Sequence, residues 1–240
     1  MTRTLALALI GAAACQAAAP DAQALLAGYD RLRNGWDSFS VRVRIQTFEN
    51  GKADEAYDYE VYQKGAERTY VEFLSPREKG QHLLMLGDDM WIYLPDTSRP
   101  IRITPLQRLQ GNASNGDVAR TNWAADYNAV VLRGEAVDGA QCHVLELTAK
   151  RKGATYRKVH LWLRAGDGRP VKADFFLASG KHAKSASYDQ YETVNGRTVL
   201  KQMTLYDRIR NSSYSVMKYD EWNPRQLPDR MFHQGRSERF

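Results

Sequence analysis

The sequence predicts a mainly β protein in which one long antiparallel sheet is accompanied by few helices. Apolar and polar residues alternate from about residue 38 onward, as in Val41, Val43 and Ile45 with charged or polar neighbours, and this period of two is typical of half-buried strands. Turn signals such as Asn50-Gly51 and Asp138-Gly139 then recur, in the second half about every 14 residues. That interval fits a strand plus a tight turn, so we expect an antiparallel meander.

Residues 1–19 read as a secretory signal peptide. A short start with Arg3 precedes an apolar run from Leu5 to Ala14 and then small residues, a run too short to anchor a protein across a bilayer. Cys15 either is removed with the signal peptide or stays in the protein with an attached lipid. The sequence favours removal. We therefore expect an exported protein whose residues 20–240 form a single domain.

Three further segments have local signals. Residues 22–34 have apolar side chains at helical spacing, and Asp21 is placed to cap the first turn. Pro228-Asp229 can open a short C-terminal helix that carries Met231 and Phe232. Residues 105–128 form the only long irregular piece, rich in Asn, Gly and Ser, and we expect a lid or a long connection with short helices of its own.

Catalytic and metal-binding patterns are not found in the sequence. The five histidines have no metal-ligand spacing, and no nucleophile elbow, phosphate loop or dinucleotide fingerprint is present. Asp88 and Asp89 lie between two apolar runs, so we interpret them as turn residues of a hairpin. Cys142 is expected to be a small buried residue without a disulfide partner. The sequence predicts no enzyme, no metal site and no cofactor.

Positive charge is concentrated between residues 150 and 184. This region has ten Lys or Arg residues against two Asp, a local charge of +8 compared with +6 for the whole chain. A solvated outer sheet face explains such a cluster most simply, and anionic lipid head groups or an acidic protein are the alternatives. Export makes nucleic acid an unsuitable partner.

The predicted strands each offer one apolar face, and few helices are available to cover them. A long sheet in this situation must close into a barrel or curve around its helices and leave an apolar concavity. We predict that Arg99 and Arg102 flank its rim, where they meet anionic head groups. The residues predicted to line the concavity are Val43, Ile45, Tyr59, Val61, Trp91, Tyr93, Leu161, Leu163, Phe175, Met203 and Leu205.

Four segments resemble the outer-membrane lipoprotein-sorting protein family of LolA-like periplasmic carriers. They are "WDSFSVRVRIQTF", "MWIYLPDTSRPIRI", "GDVARTNWAADYNAVVL" and "LPDRMFHQGRSERF", which follow one another along nearly all of the chain after the signal. The resemblance implies a strongly curved antiparallel sheet, an unclosed half-barrel, with an N-terminal helix and a helical lid. It also implies a periplasmic protein that holds or moves acylated molecules.

The resulting functional prediction is a periplasmic lipid- or lipoprotein-binding carrier that acts in outer-membrane lipoprotein or lipid sorting. Burying an acyl chain yields ~0.8 kcal/mol per CH₂, so an apolar groove can do this work without a catalytic group. The expected partners are an acylated ligand, an inner-membrane transporter or outer-membrane receptor, and an anionic membrane surface. The alternative is a non-transporting envelope module that docks to a membrane transport or assembly complex through the basic region.

Overall fold

The computed structural model describes residues 20–97, 99–210 and 212–234. The predicted signal peptide, residues 1–19 with Cys15, lies outside these residues. Within the described residues, thirteen strands form one antiparallel sheet and two short strands form a separate hairpin. The sheet is strongly curved and unclosed, which confirms the predicted fold class.

The two edge strands of the large sheet, β6 and β9, are at opposite ends of the order in which the strands are hydrogen-bonded. That order is β6-β5-β4-β3-β2-β1-β15-β14-β13-β12-β11-β10-β9. The strands are β1 (Ser38–Glu49), β2 (Lys52–Lys64), β3 (Arg68–Phe73), β4 (His82–Leu86), β5 (Asp89–Tyr93), β6 (Ile101–Ile103), β7 (Arg108–Gln110), β8 (Ala113–Ser114), β9 (Tyr127–Val137), β10 (Ala140–Ala149), β11 (Lys158–Arg164), β12 (Pro170–Phe176), β13 (His182–Val194), β14 (Arg197–Asp207) and β15 (Ser213–Pro224).

The predicted meander is confirmed, because strands β9 to β15 each pair with the next strand along the chain. At three hairpins the two turn residues both have positive φ, as type I′ turns require: Asn50-Gly51, Asp138-Gly139 and Asn195-Gly196. Lys152-Gly153, another of the recurring turn signals in the sequence, does not form a tight hairpin turn. Gly153 belongs to a longer loop between β10 and β11, and a Cβ there would lie 2.5 Å from Asp88 Oδ1, so this glycine permits a close approach.

The predicted N-terminal helix is α1 (Ala22–Asn34), which begins as the sequence indicates. Asp21 Oδ1 accepts hydrogen bonds from the backbone N–H groups of Gln23 and Ala24. The helix lies on the concave side of the sheet and buries Leu26 and Tyr29 in the main core. Among the described residues, no helix is both long and apolar enough to cross a membrane.

Residues 104–126, which we call the lid, connect edge strand β6 to edge strand β9. The lid contains the β7–β8 hairpin and the two short helices α2 (Asn115–Ala119) and α3 (Trp123–Asp126). It therefore runs from one edge of the unclosed sheet to the other. Val118, Ala119 and Trp123 belong to the same apolar core as the concave face of the sheet.

A second, smaller core lies on the convex face of strands β3 to β5. The C-terminal segment covers it with Leu227 and with Met231 and Phe232 of a 3-10 helix, Asp229–Phe232, which is the short helix that the sequence predicts. Asp229 forms salt bridges with Lys64 and Arg68. This end of the chain thus holds one half of the sheet from outside.

Candidate ligand-binding site

The concave face of the sheet contains nine of the eleven residues predicted to line an apolar concavity. They all belong to the main core and all are almost completely buried. They come from both halves of the sheet, which the pairing of β1 with β15 joins. Whether they contact a ligand stays a prediction. The nine are Val43, Ile45, Tyr59, Val61, Leu161, Leu163, Phe175, Met203 and Leu205.

Helix α1 and the lid fill the concavity that these residues line. Tyr29 of α1 packs against Trp123 of the lid with ring centroids 4.8 Å apart, and Trp123 meets Phe175 edge-on at 6.0 Å. A continuous apolar core therefore joins helix, lid and sheet. A ligand can reach this face only if the helix or the lid moves.

The prediction that Trp91 and Tyr93 face the concavity is wrong. The two rings do share one face of β5, as strand alternation requires, but that face is convex. They pack with Leu84 and Phe232 in the outer core, while the intervening Ile92 contacts the main core. Both faces of β4 and β5 are apolar, so alternation alone did not say which face was inside. The apolar C-terminal segment covers the larger rings.

The two predicted rim arginines are exposed at the β6 edge of the sheet. Arg102 pairs in register with Trp91 and forms a salt bridge with Asp89, so its side chain lies on the convex side of this edge. Arg99 lies in the connection before β6. Contact of either residue with a head group stays a prediction.

Arg120 is a buried residue that fastens the lid to the β4–β5 hairpin. Its guanidinium donates to both carboxylate oxygens of Asp126, at 2.6 and 2.7 Å, and to the backbone oxygen of Gly87 at 2.7 Å. It also donates to Asp88 Oδ1 at 2.9 Å. Asp88 is therefore more than the turn residue predicted from the sequence, because it also binds a cation of the lid.

Helix α1 fastens the lid from the other side. Asp30 accepts hydrogen bonds from the backbone N–H groups of Trp123 and Ala124, at 2.9 and 2.8 Å. Burial raises the pKa of Asp30 to about 7, although these two hydrogen bonds act to lower it. Arg33 Nη2 donates to the backbone oxygen of Asp117 at 2.9 Å. The lid is thus held to α1 by buried polar contacts.

A third set of polar contacts joins the lid to strand β13. Lys184 Nζ donates to Asp117 Oδ2 at 2.6 Å and to the hydroxyl of Tyr156 at 2.7 Å. Tyr156 donates to Asp117 Oδ1 at 3.0 Å. Burial acts to raise the pKa of Asp117, but the Lys184 ammonium and the hydrogen bonds from Lys184 and Ser114 together hold that pKa below its ordinary value.

Sequence reasoning did not single out Arg33, Asp117, Tyr156 or Lys184. Two signals were available. Arg33 lies seven residues after the buried Leu26 and so continues the inward face of α1. Ser114 and Asp117 have capping-box spacing, and both reciprocal hydrogen bonds of that motif are present.

Two glycines allow the lid to lie close against the sheet. A Cβ at Gly116 would be 2.0 Å from Thr155 Oγ1, and a Cβ at Gly111 would be 2.4 Å from Thr47 Cγ2. Any larger side chain at either position would push the lid outward unless its neighbour moved. Close packing of the lid therefore depends on these two glycines.

An open cavity of about 260 Å³ lies between the lid hairpin and the ends of strands β12 to β14. Ser114, Tyr156 and Lys184 line it together with apolar side chains that include Leu106 and Ile209, each about half exposed. A larger groove of about 730 Å³ lies along the outer side of α1. The 260 Å³ cavity is the one that reaches residues of the main core.

Several cations of the basic region, residues 150–184, make contacts within the protein. Arg151 forms salt bridges with Glu67 and Asp88, Lys150 Nζ donates to the backbone oxygen of Ala124, and Lys184 is paired with Asp117. These three cations therefore belong to the internal contacts of the molecule. Docking of a membrane complex through the remaining charges stays a prediction.

The described residues include no group of three or more His, Cys, Asp or Glu side chains that could hold a metal ion. Cys142 is buried, as predicted. The site is thus an apolar concave surface that α1 and the lid cover, with a few buried charges at the lid contacts. These features are typical of a protein that binds a ligand by burial.

Comparisons with known proteins agree with this description. A family model described as "Uncharacterized protein" matches residues 65–238. No curated protein matches the chain. A LolA superfamily protein from Nitrosomonas europaea is 37% identical, with a TM-score of 0.85 over 90% of this chain and 98% of its own.

Two less similar structures share the fold. A DUF1329 family protein from Desulfovibrio piger is 22% identical, with a TM-score of 0.75 over 88% of this chain and 95% of its own. A domain named for outer membrane lipoprotein sorting, from Vibrio parahaemolyticus, is 17% identical, with a TM-score of 0.73 over the same shares of the two chains. The fold thus defines a LolA-like half-barrel. The chain belongs to the LolA superfamily.

Proposed function

We propose that this protein is a periplasmic carrier that binds the acyl chains of a lipid or a lipoprotein on the concave face of its sheet. The observation that supports the proposal most directly is the cover of that face. The sheet contributes a continuous apolar surface, and α1 and the lid cover it. Membership of the LolA superfamily supports the same class of function.

Burial supplies the binding energy in this proposal. Each methylene group transferred from water contributes ~0.8 kcal/mol, and the concave side chains are long aliphatic and aromatic groups. In the structure, Tyr29 and Trp123 pack against this surface and keep it from water. An acyl chain that enters replaces the contacts that α1 and the lid make with the concave face. Its own burial therefore offsets the free energy needed to open the lid.

Both polar and apolar contacts hold the lid. Arg120 of the lid binds the β4–β5 hairpin, Asp30 and Lys184 bind the lid from α1 and β13, and Trp123 packs in the main core. Opening the lid therefore has a cost in both kinds of contact, which burial of the ligand offsets in this proposal. Export by the predicted signal peptide would place the carrier in the periplasm, between donor and acceptor membranes.

Native mass spectrometry of the protein purified from its own periplasm tests the proposal. We expect a bound lipid or acylated peptide, released when the protein is denatured. The purified protein should also bind a fluorescent acyl probe. A protein that repeatedly comes out empty and binds no probe would contradict the carrier function.

A disulfide lock tests whether the ligand enters beneath the lid. A Cβ built on Gly111 lies 3.4 Å from Thr47 Cβ, close to the ~3.5 Å lower end of the range in disulfides. We expect oxidised Thr47→Cys/Gly111→Cys to bind acyl probe at least tenfold more slowly than the same protein after reduction. The reduced form is the matched control, because it carries any strain of replacing Gly111 at φ 53°. Equal rates in both forms would exclude entry at this lid hairpin.

A further inference from the structure

Asp117 places a carboxylate from the lid on two groups that belong to the body of the molecule. Its oxygens accept hydrogen bonds from Lys184 Nζ and the Tyr156 hydroxyl, with heavy-atom distances of 2.6 and 3.0 Å. Ser114, also in the lid, adds a backbone and a side-chain donor, each at 2.8 Å. The carboxylate is therefore surrounded by donors on both sides of the boundary between lid and sheet.

Opening of the lid would affect the two charges differently, because Asp117 moves with the lid and Lys184 stays with the sheet. Asp117 keeps its capping contacts with Ser114, because both residues move with the lid. Lys184 and Tyr156 would lose the anion that they bind in the closed form, in which the Lys184 side chain is only 13% exposed. A nearby counter-charge stabilises an ammonium that is partly removed from water, so an anion supplied by a ligand would suit this position in the open form.

The cavity beside this ion pair has the shape and chemistry to supply that anion from a ligand. Its volume is about 260 Å³, and Lys184 and Tyr156 line it directly. Leu106, Leu177 and Ile209 supply apolar side chains to the lining, and Arg108 and Asp207 add one charge of each sign. A molecule with one anionic end and an apolar tail matches such a surface, since its head meets donors and its tail meets carbon.

We propose that Lys184 and Tyr156 form the head-group site of an anionic acyl ligand, and that Asp117 occupies this site while the lid is closed. The inference rests on the proposed carrier function and adds a substrate class to it, acyl molecules with a carboxylate or phosphate group. The ligand's anion replaces Asp117, so binding and lid opening are coupled. No covalent step is involved.

Matched probes separate this inference from the carrier function. Wild-type protein is titrated with a fluorescent fatty acid, with the fatty alcohol of the same chain and fluorophore, and with the corresponding monoacyl glycerol phosphate. We expect at least one of the anionic probes to bind at least tenfold more tightly than the alcohol. Preference for the carboxylate or for the phosphate identifies which source of the anion the site accepts.

Substitutions then test which residues cause the preference for anionic probes over the alcohol. Lys184→Met should reduce the ratio of anionic-probe affinity to alcohol affinity to less than threefold, whereas Lys181→Met, at an exposed neighbouring lysine, should retain the wild-type ratio. Asp117→Asn should tighten binding of the anionic probes, because the internal competitor is weakened. The wild-type comparison stands even if a variant fails to fold.

Equal affinity of wild-type protein for the alcohol and both anionic probes would overturn the head-group site and leave the carrier function intact. Retention of the full preference in folded Lys184→Met would overturn it too. Failure of all three probes to bind would instead contradict the carrier function on which the inference rests.

Discussion

Arg120 in the lid donates a hydrogen bond to Asp88 at the tip of the β4–β5 hairpin, with Nη2 and Oδ1 2.9 Å apart. The two residues are 32 positions apart in the sequence, and Arg151 from the β10–β11 loop contacts the same carboxylate oxygen at 3.0 Å. One exposed turn residue therefore links the lid, one edge of the sheet and a loop of the other half.

Asp88 and Asp89 offer a matched pair for testing this link. Asp88→Asn removes a charge that faces two arginines, and we expect a loss of ~0.5–1 kcal/mol in the free energy of unfolding, limited by the partial exposure of Asp88. Asp89→Asn removes only an exposed ion pair with Arg102 and should change stability by less than ~0.5 kcal/mol. Urea denaturation measures both. Equal effects would mean that Asp88 serves only the turn.

Arg120 itself should be far more sensitive to substitution. Arg120→Met would leave the buried carboxylate of Asp126, 2% exposed, without its cation. Removing one partner of such a pair typically costs ~3–5 kcal/mol. We expect a loss of that size in urea denaturation. The double variant Arg120→Met/Asp126→Leu should recover part of it, and a double variant less stable than Arg120→Met would contradict this explanation.

The elements that local sequence rules govern were predictable. Helix α1, its Asp21 cap and the three type I′ turns each depend on residues close together in the chain. The face of β5 was not predictable in this way. Leu83, Leu84 and Met85 in β4 are all buried, so period-two alternation marked no solvent side, and the choice depended on the distant C-terminal segment.

The polar contacts of the lid lay beyond sequence reasoning for a related reason. Asp117 and Lys184 are 67 positions apart, and Arg33 lies 84 positions before Asp117. Lys184 was interpreted as part of a solvated basic face, which is where most charges lie, and Arg33 and Asp117 were not singled out. Only the curvature of the sheet brings them together beneath the lid.

Trp91 and Ile92 test which face of β5 serves the ligand. Ile92→Ala removes contact area from the concave side, and we expect acyl-probe binding to weaken by ~1–3 kcal/mol. Trp91→Ala removes a ring from the convex core and should lower stability without changing probe affinity. Fluorescence titration of both folded variants gives the comparison. Weaker binding in Trp91→Ala alone would place the ligand on the convex side.

Asp30 should make the stability of the protein depend on pH. Burial raises its pKa from 3.8 to about 7 in the folded protein, whereas the unfolded chain has an ordinary value of about 3.9. Between about pH 4 and 7 the folded state therefore retains a proton that the unfolded state releases. The stability from this group is fully present below about pH 4 and is lost as the pH rises toward 7, on the order of 2–4 kcal/mol.

Comparison of wild-type protein with Asp30→Asn isolates this contribution. Carboxylates with a lowered pKa, such as Asp117, have the opposite effect, because the stability that they give the protein is lost as the pH falls. They are present in both proteins, so their contribution cancels when the two free energies of unfolding are subtracted. The amide cannot titrate and retains an oxygen that accepts from Trp123 or Ala124. The variant should therefore gain stability relative to wild type between pH 5 and pH 8 in urea denaturation. A difference that stays constant over that range would show that Asp30 is already ionised at pH 5, and that the hydrogen bonds from α3 outweigh its burial.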